Sequence, residues 1–324
     1  MTYISAVIPV YNEEESLPEL HRQLTEVCRE NDYRYEIVFV DDGSTDSSWN
    51  CILDLQAVDT NIKGIRFRRN FGKAAALNAG FKEATGEVVF TLDADLQDDP
   101  SEIPRFLAQL EQLQLDVISG WKKKRYDPWH KVGPSRVFNK MVSNLTKVKL
   151  HDHNCGFKCY RREVLQEVHL YGELHRFVPV LAAARGFNVG EIIVNHRERQ
   201  FGHSKYGVRR IVKGFLDLLT VYMLTGYGHR PQHLLGTLGL TCFGISGVST
   251  FILVLRRLID QFEDGRVDVH LHESPMFYLA LTGVVVGIQL LMTGFLAELV
   301  TKQTSKDEQI YAIQASIGLN EDDS

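Results

Sequence analysis

The residues best suited to chemistry lie in one short run, Asp93-Ala94-Asp95-Leu96-Gln97. Two carboxylates two positions apart, followed by an amide oxygen, make an all-oxygen donor set. Such a set suits Mg²⁺ or Mn²⁺ held jointly with the phosphates of a substrate. In an extended exit Asp93 and Asp95 project to the same side, with Gln97 one step further on. A lone D-x-D also occurs as a solvated acidic turn before a helix, here one starting near Ser101, and the neighbouring elements decide between the two.

Those elements repeat at short intervals. Val88 to Leu92 is β-branched and aromatic enough for a buried strand, and it runs out at Asp93. Earlier strands are predicted over Tyr3 to Val10, Tyr35 to Val40 and Ile62 to Phe67. Helices are predicted between them from Ser16, whose spacing to Glu19 is that of a capping box, then over 46–58 and 74–84. Alternation of this kind predicts a parallel sheet with helices on both faces, whose ligands sit beyond the carboxyl ends of the strands. All four exits carry polar or aromatic groups: Pro9, Tyr11 and Glu13, then Asp42, then Lys73, then Asp93 and Asp95. Four such exits on one sheet edge are hard to explain as solvation. Neither G-x-G-x-x-G nor a P-loop occurs, which disfavours a dinucleotide fold and a P-loop nucleotide site. A further helix and short strand lie between Ile103 and Gly120.

The 324 residues are 44% hydrophobic, enough for one large domain and additional elements. A formal net charge of -5 argues against nucleic acid as a partner. Five scattered cysteines read as reduced thiols rather than a disulfide framework, and Met1 to Val10 lacks the features of a signal peptide. His151 to Cys159 holds two His and two Cys, but their spacing matches no usual zinc pattern. Leu234 to Leu255 and Pro275 to Ala297 contain no charged residue; 22 residues of helix reach about 33 Å, enough to cross a bilayer core. The second span carries Gly283 and Gly287, a G-x-x-x-G spacing for close helix packing. Val208 to Leu224 sets Arg209, Arg210 and Lys213 against an apolar face, the pattern of an interfacial helix. A second helix, Val132 to Val148, with Val137, Met141, Val142 and Leu145 on one side, fits either the membrane surface or the sheet. The basic and aromatic run from Trp121 to Lys131 suits lipid headgroups or a solvated loop.

Four motifs in order, Val-Ile-Pro-Val-Tyr-Asn-Glu-Glu at 7–14, Val-Asp-Asp-Gly-Ser-Thr-Asp at 40–46, Arg-Asn-Phe-Gly-Lys at 69–73 and Asp-Ala-Asp-Leu-Gln at 93–97, resemble those of the polyisoprenyl-phosphate glycosyltransferases. That group of inverting, GT-A-fold enzymes includes bactoprenyl glucosyltransferases and dolichyl-phosphate mannose synthases. The resemblance implies an α/β, Rossmann-like GT-A domain over 1–206, an amphipathic juxtamembrane segment over 207–233, two transmembrane helices over 234–300 and a tail over 301–324. It implies that Pro9, Tyr11, Glu13 and Asp42 hold the nucleotide; Lys73, by its charge and its place at a strand exit, is a candidate point charge beside the phosphates. Asp93 also faces the nucleotide, and Asp95 and Gln97, with Asp93, bind the metal. The segment from Asp152 to Lys158 resembles the family's D-x-x-S-G-F-R motif, with Cys155 and Lys158 replacing its commoner Ser and Arg; this implies that Asp152 is a base or a group that orients the acceptor. Arg199 to Tyr206 resembles R-x-x-G-x-S-K-Y, in which Arg199, Ser204 and Lys205 gather the acceptor phosphate.

The expected reaction moves a hexose, glucose first, from UDP-glucose to undecaprenyl phosphate, on a catalytic domain facing the cytoplasm where nucleotide sugars are. GDP-mannose and a dolichyl-type phosphate are the second donor and acceptor. A non-catalytic nucleotide-binding membrane scaffold is the alternative of another class. The partners implied are nucleotide sugar, lipid phosphate and membrane, and the resemblance leaves room for a homo-oligomer.

Overall fold

The structure, a computed structural model, describes residues 2–123, 129–168, 174–197, 209–227, 230–263 and 274–304. It divides into two compact units, Met1–Thr225 and Gly226–Ser324.

In the first unit, strands β1 (Tyr3–Val10), β2 (Arg34–Asp41), β3 (Ile62–Arg66) and β4 (Val88–Thr91) alternate with helices α1 (Leu17–Glu30), α2 (Ser48–Val58) and α3 (Lys73–Glu83). Period-two alternation divides each strand between two cores. Ile4, Ala6, Ile8, Ile37, Phe39 and Phe90 pack with Leu17, Leu20 and Leu24 of α1 and Phe106 of α4 (Ile103–Gln112) on one face. Val7, Val38, Val40 and Val89 pack with Ala76 and Leu77 of α3 on the other. The chain continues through β5 (Val117–Trp121), α5 (Trp129–Thr146), β6 (Lys158–Arg161), α6 (Arg162–Glu167), α7 (Val178–Ala184), β7 (Val189–Ile193) and α8 (Arg209–Tyr227).

The sheet order is β3-β2-β1-β4-β6-β5-β7. It departs from the expected parallel sheet at β6, which runs antiparallel to both β4 and β5 and pairs Lys158 with Thr91. Because β6 is reversed, its beginning rather than its end reaches the edge where β4 exits. The four residues of β6, Lys-Cys-Tyr-Arg, form neither an apolar run nor a periodic pattern that would have announced a strand.

Three local expectations are corrected. Ser16 and Glu19 do not form a capping box: the Ser16 hydroxyl donates to the Glu13 carbonyl at 3.0 Å, while Glu19 accepts from Arg22 and Gln23. The exit from β4 is not extended: residues 94 and 95 form a turn, and Leu96 has φ +61°. Finally, the apolar residues of α5 do not share one environment. Val142 is buried with Leu174, Phe177, Val180, Leu218 and Val221, while Val137 and Leu145 are exposed.

Helix α8 buries Leu218 and Val221 in that same small core, and leaves Phe215, Leu216 and Leu219 about half exposed. In the second unit α9 (Pro231–Glu263) and α10 (Pro275–Thr304) contain stretches long and apolar enough to cross a membrane, Pro231–Ile259 and Pro275–Thr301. Their glycines let the backbones touch: a Cβ on Gly287 would lie 2.9 Å from the Gly239 carbonyl oxygen. At one end of the pair the amide of Gln232 donates to Glu298 at 3.3 Å. The carboxylate thus sits at the amino terminus of α9, where free amides and the helix dipole favour negative charge.

Candidate active site

The exits of β1 and β2 are laced together. Asn12, with φ +55°, accepts from the Thr45 amide at 2.8 Å, and its own amide donates to the Ser44 hydroxyl at 3.0 Å. The Glu13 amide donates to the Ser48 hydroxyl at 2.9 Å. These bonds fix the turn bearing Tyr11 and Glu13 against the one bearing Asp42. Pro9 stands in β1 opposite Val40. Asp42 is buried, and its two oxygens accept from the amides of Phe71 (2.7 Å) and Gly72 (2.9 Å). Burial raises its pKa against the opposing pull of those amides. Asp42 therefore clamps the loop ahead of α3, and each oxygen retains a second lone pair for a ligand.

Lys73, the first residue of α3, ion-pairs with Asp93 at the exit of β4, each side chain one-third exposed. Burial works against both charges, but the pairing outweighs it: Asp93 is held below the usual carboxylate range by Lys73 and Lys122, and the Lys73 pKa is raised by Asp93. Asp95 is buried, and its Oδ1 accepts from the Gln97 amide at 3.2 Å, which closes the turn.

The reversed β6 brings a third segment to this edge. Gly156 lies so close to Asp93 that a Cβ there would stand 2.6 Å from Oδ2, so a larger residue would push the Asp93 carboxylate from its place. Lys158, buried, donates to the Cys155 carbonyl; its pKa falls to about 8 because burial and Lys73 disfavour its charge, while Cys155, Asp152 and Asp93 oppose that fall. Asp152 is buried on the same approach, its Oδ1 accepting from the Asn154 amide at 3.1 Å and its carbonyl from the Ser119 hydroxyl at 3.3 Å.

The neighbouring histidines are otherwise engaged. His153 meets the Ser143 hydroxyl at 3.1 Å, and His151 pairs with Glu191 and stacks on Trp121 with ring centres 4.0 Å apart. Among the described residues no group of three or more His, Cys, Asp and Glu side chains is placed to enclose a metal ion.

The exit of β7 supplies a fourth segment. The Arg197 amide donates to the Gln97 carbonyl at 3.0 Å, and Asp98 and His196 form an antiparallel bridge. The Arg197 guanidinium reaches Asp99 at 2.6 Å and Gln23 of α1 at 2.8 Å. Two residues further along the sequence stands Arg199; Arg199, Ser204 and Lys205 lie outside the described residues.

Sequence reasoning missed Lys122, which it had grouped with a basic run facing lipid headgroups or solvent. Its side chain is 14% exposed and pairs with buried Asp98 at 3.0 Å. It also missed Asp98 and Arg197. The exit rule applied to β5 and β7, as it was to the first four strands, would have found both cations.

A model of the family described as Glycosyl transferase family 2 matches residues 5–169. The chain belongs to this family. Curated relatives bear out the resemblance of the motifs to those of the polyisoprenyl-phosphate glycosyltransferases. The chain is 35% identical over 309 residues to a dodecaprenyl-phosphate galacturonate synthase of Rhizobium johnstonii, covering 94% of this chain and 89% of the relative. It is 40% identical over 256 residues to an undecaprenyl-phosphate 4-deoxy-4-formamido-L-arabinose transferase of Pseudomonas fluorescens, covering 79% and 73%. Among solved structures the fold resembles glucosyl-3-phosphoglycerate synthase of Mycobacterium tuberculosis, crystallised with Mn²⁺, UDP and phosphoglyceric acid. The TM-score is 0.52 at 15% identity, over 69% of this chain and 78% of that one. The chain is thus a glycosyltransferase with the GT-A-like sheet of its family, followed by two apolar helices.

Proposed function

We propose that this glycosyltransferase moves one sugar from a UDP-linked donor to a polyprenyl phosphate, with inversion at the anomeric carbon. The observation that carries the reading is the meeting, on one sheet edge, of the Asp93 to Gln97 turn with the beginning of β6 and the exit of β7. One bears a candidate metal set, the next follows the candidate acceptor-side Asp152, and the last leads in sequence to the cationic motif at Arg199.

Asp95, Gln97 and Asp93 are the residues that would hold Mg²⁺ or Mn²⁺. The donor set fits by its chemistry: two carboxylates and an amide are the hard oxygen donors these ions take, and three such ligands leave places for a diphosphate and water. The cation would neutralise charge growing on the departing diphosphate.

The chain's own groups do the rest. Tyr11 stacks on the base, and Asp42, with Pro9 and Glu13, borders the ribose and base. Lys73 adds a point charge near the phosphates. Arg199 and Lys205, with the Ser204 hydroxyl, draw in the lipid phosphate, and Asp152 orients it. A phosphate oxygen attacks the anomeric carbon; the bond from that carbon to the diphosphate oxygen breaks, and the diphosphate departs with the electron pair. The attacking oxygen is already ionised at neutral pH, so orientation and charge are what the site must supply.

Glucose, the sugar the sequence put first, is in neither relative's name. A galacturonate and a 4-deoxy-4-formamido-L-arabinose donor therefore stand beside UDP-glucose as candidates. The exposed face of α8 would rest at the headgroups. The pairing of Gln232 with Glu298 supports both outer ends of the helix pair facing one side, which we assign to the cytoplasm where the donor is made.

The test is to incubate the purified full chain with undecaprenyl phosphate, Mn²⁺ or Mg²⁺ and labelled UDP-glucose, UDP-galacturonate, UDP-4-deoxy-4-formamido-L-arabinose and GDP-mannose. Label from one UDP-sugar is expected in solvent-extractable lipid. Lipid label from none of the four, or from GDP-mannose alone, overturns the proposal.

A further inference from the structure

Asp98 stands next to the turn just described but was given no role. It is 1% exposed, and it holds three segments at once. Its Oδ2 accepts from the amide of Asp93 at 3.2 Å. Its Oδ1 lies 3.0 Å from the Lys122 ammonium at the exit of β5. Its backbone bridges to His196 beyond β7.

A turn of this shape needs a fastening. It leaves β4 after four strand residues and places Leu96 at φ +61°, a region that a γ-branched side chain rarely adopts. The Asp95 carboxylate closes the second half by accepting the Gln97 amide. The first half is closed by Asp98, which reaches back five residues to the Asp93 amide. Lys122 in turn neutralises a carboxylate that would otherwise be buried uncompensated.

We propose that Asp98 is a positioning residue for the metal and diphosphate site. Through the Asp93 amide it fixes the spacing between Asp93 and Asp95, and through Lys122 it fixes that turn to the edge of β5. It touches neither substrate nor metal. This inference rests on the reading of Asp93, Asp95 and Gln97 as the metal set, and the two are separable by experiment.

The test uses the purified full chain and its Asp98→Ala and Asp98→Asn variants. Alanine removes both the acceptor and the ion pair with Lys122. Asparagine keeps an oxygen for the Asp93 amide and loses only the ion pair, so it serves if the alanine variant does not fold. The first measurement is amide hydrogen exchange of a peptide spanning 92–97 without ligands. Exchange there is expected to rise at least tenfold in Asp98→Ala, with a smaller rise in Asp98→Asn, while peptides from α1 and α3 hold their wild-type rates.

The second measurement is Mn²⁺ binding in the presence of UDP, followed by the electron paramagnetic resonance signal of free Mn²⁺. Affinity is expected to fall about tenfold in Asp98→Ala, equivalent to 1.4 kcal/mol, and less in Asp98→Asn. Unchanged exchange at 92–97 overturns the fastening. Raised exchange with unchanged Mn²⁺ affinity overturns the link from fastening to metal. Failure of the wild-type chain to bind Mn²⁺ with UDP overturns the metal reading itself and, with it, the role of Asp98, even where exchange shows the turn loosened.

Discussion

The amide of Arg197 donates to the carbonyl of Gln97 at 3.0 Å, so the strand that leads toward Arg199 is tied to the turn that carries the candidate metal ligands. The Arg197 side chain strengthens the tie through Asp99 at 2.6 Å and Gln23 at 2.8 Å. Replacing Arg197 by Ala leaves the backbone bond and removes these two anchors. Transfer is expected to drop roughly tenfold, with acceptor KM rising more than donor KM, because the lost anchors precede the proposed acceptor motif. Steady-state kinetics with both substrates varied checks this.

Asp95→Ala removes a candidate metal ligand and the acceptor for the Gln97 amide. Turnover is expected to fall by roughly 100-fold or more, and excess Mn²⁺ is expected not to restore it. A metal titration of initial rates reads both effects.

Arg199→Ala takes a two-point cation from the proposed phosphate site. The expected loss is about 100-fold in kcat/KM for the lipid acceptor, with UDP affinity unchanged. Product formation and UDP binding, measured on the same preparation, separate the two.

His153 is fully buried, and its pKa is lowered to about 4 from 6.5 by burial and by Lys158, against Asp152. The unfolded chain binds the proton as pH falls through 6.5, whereas the folded chain does so only near 4, so folding stability declines across that window. The contribution lost by pH 4 is on the order of 3 kcal/mol. In His153→Gln the difference between unfolding midpoints at pH 7 and pH 5 is expected to shrink relative to wild type, as thermal unfolding in detergent would show.

Gly287→Val would drive a side chain into the Gly239 carbonyl oxygen at 2.9 Å and the Phe243 amide at 3.0 Å. Backbone atoms cannot yield as a side chain can, so α9 and α10 must separate, at about 1–3 kcal/mol. A lower melting temperature in detergent micelles is the expected result.

The sequence by itself determined the first four strands and their exits, because β-branched and aromatic residues cluster between the polar turns and helical repeats on either side. It determined the two long apolar helices for the same reason of composition. It also determined the family, through motifs that appear in order. Only the tertiary structure decided that the edge is completed by a reversed β6, because a four-residue strand carries no direction in its composition. Only the fold revealed that Lys122 faces Asp98 rather than lipid: residues 98 and 122 are distant in sequence, and what a charge meets depends on which strands lie side by side. The Arg197 tie to Gln97 belongs with these, since pairing between the ends of β4 and β7 follows from sheet order, which local propensity does not encode.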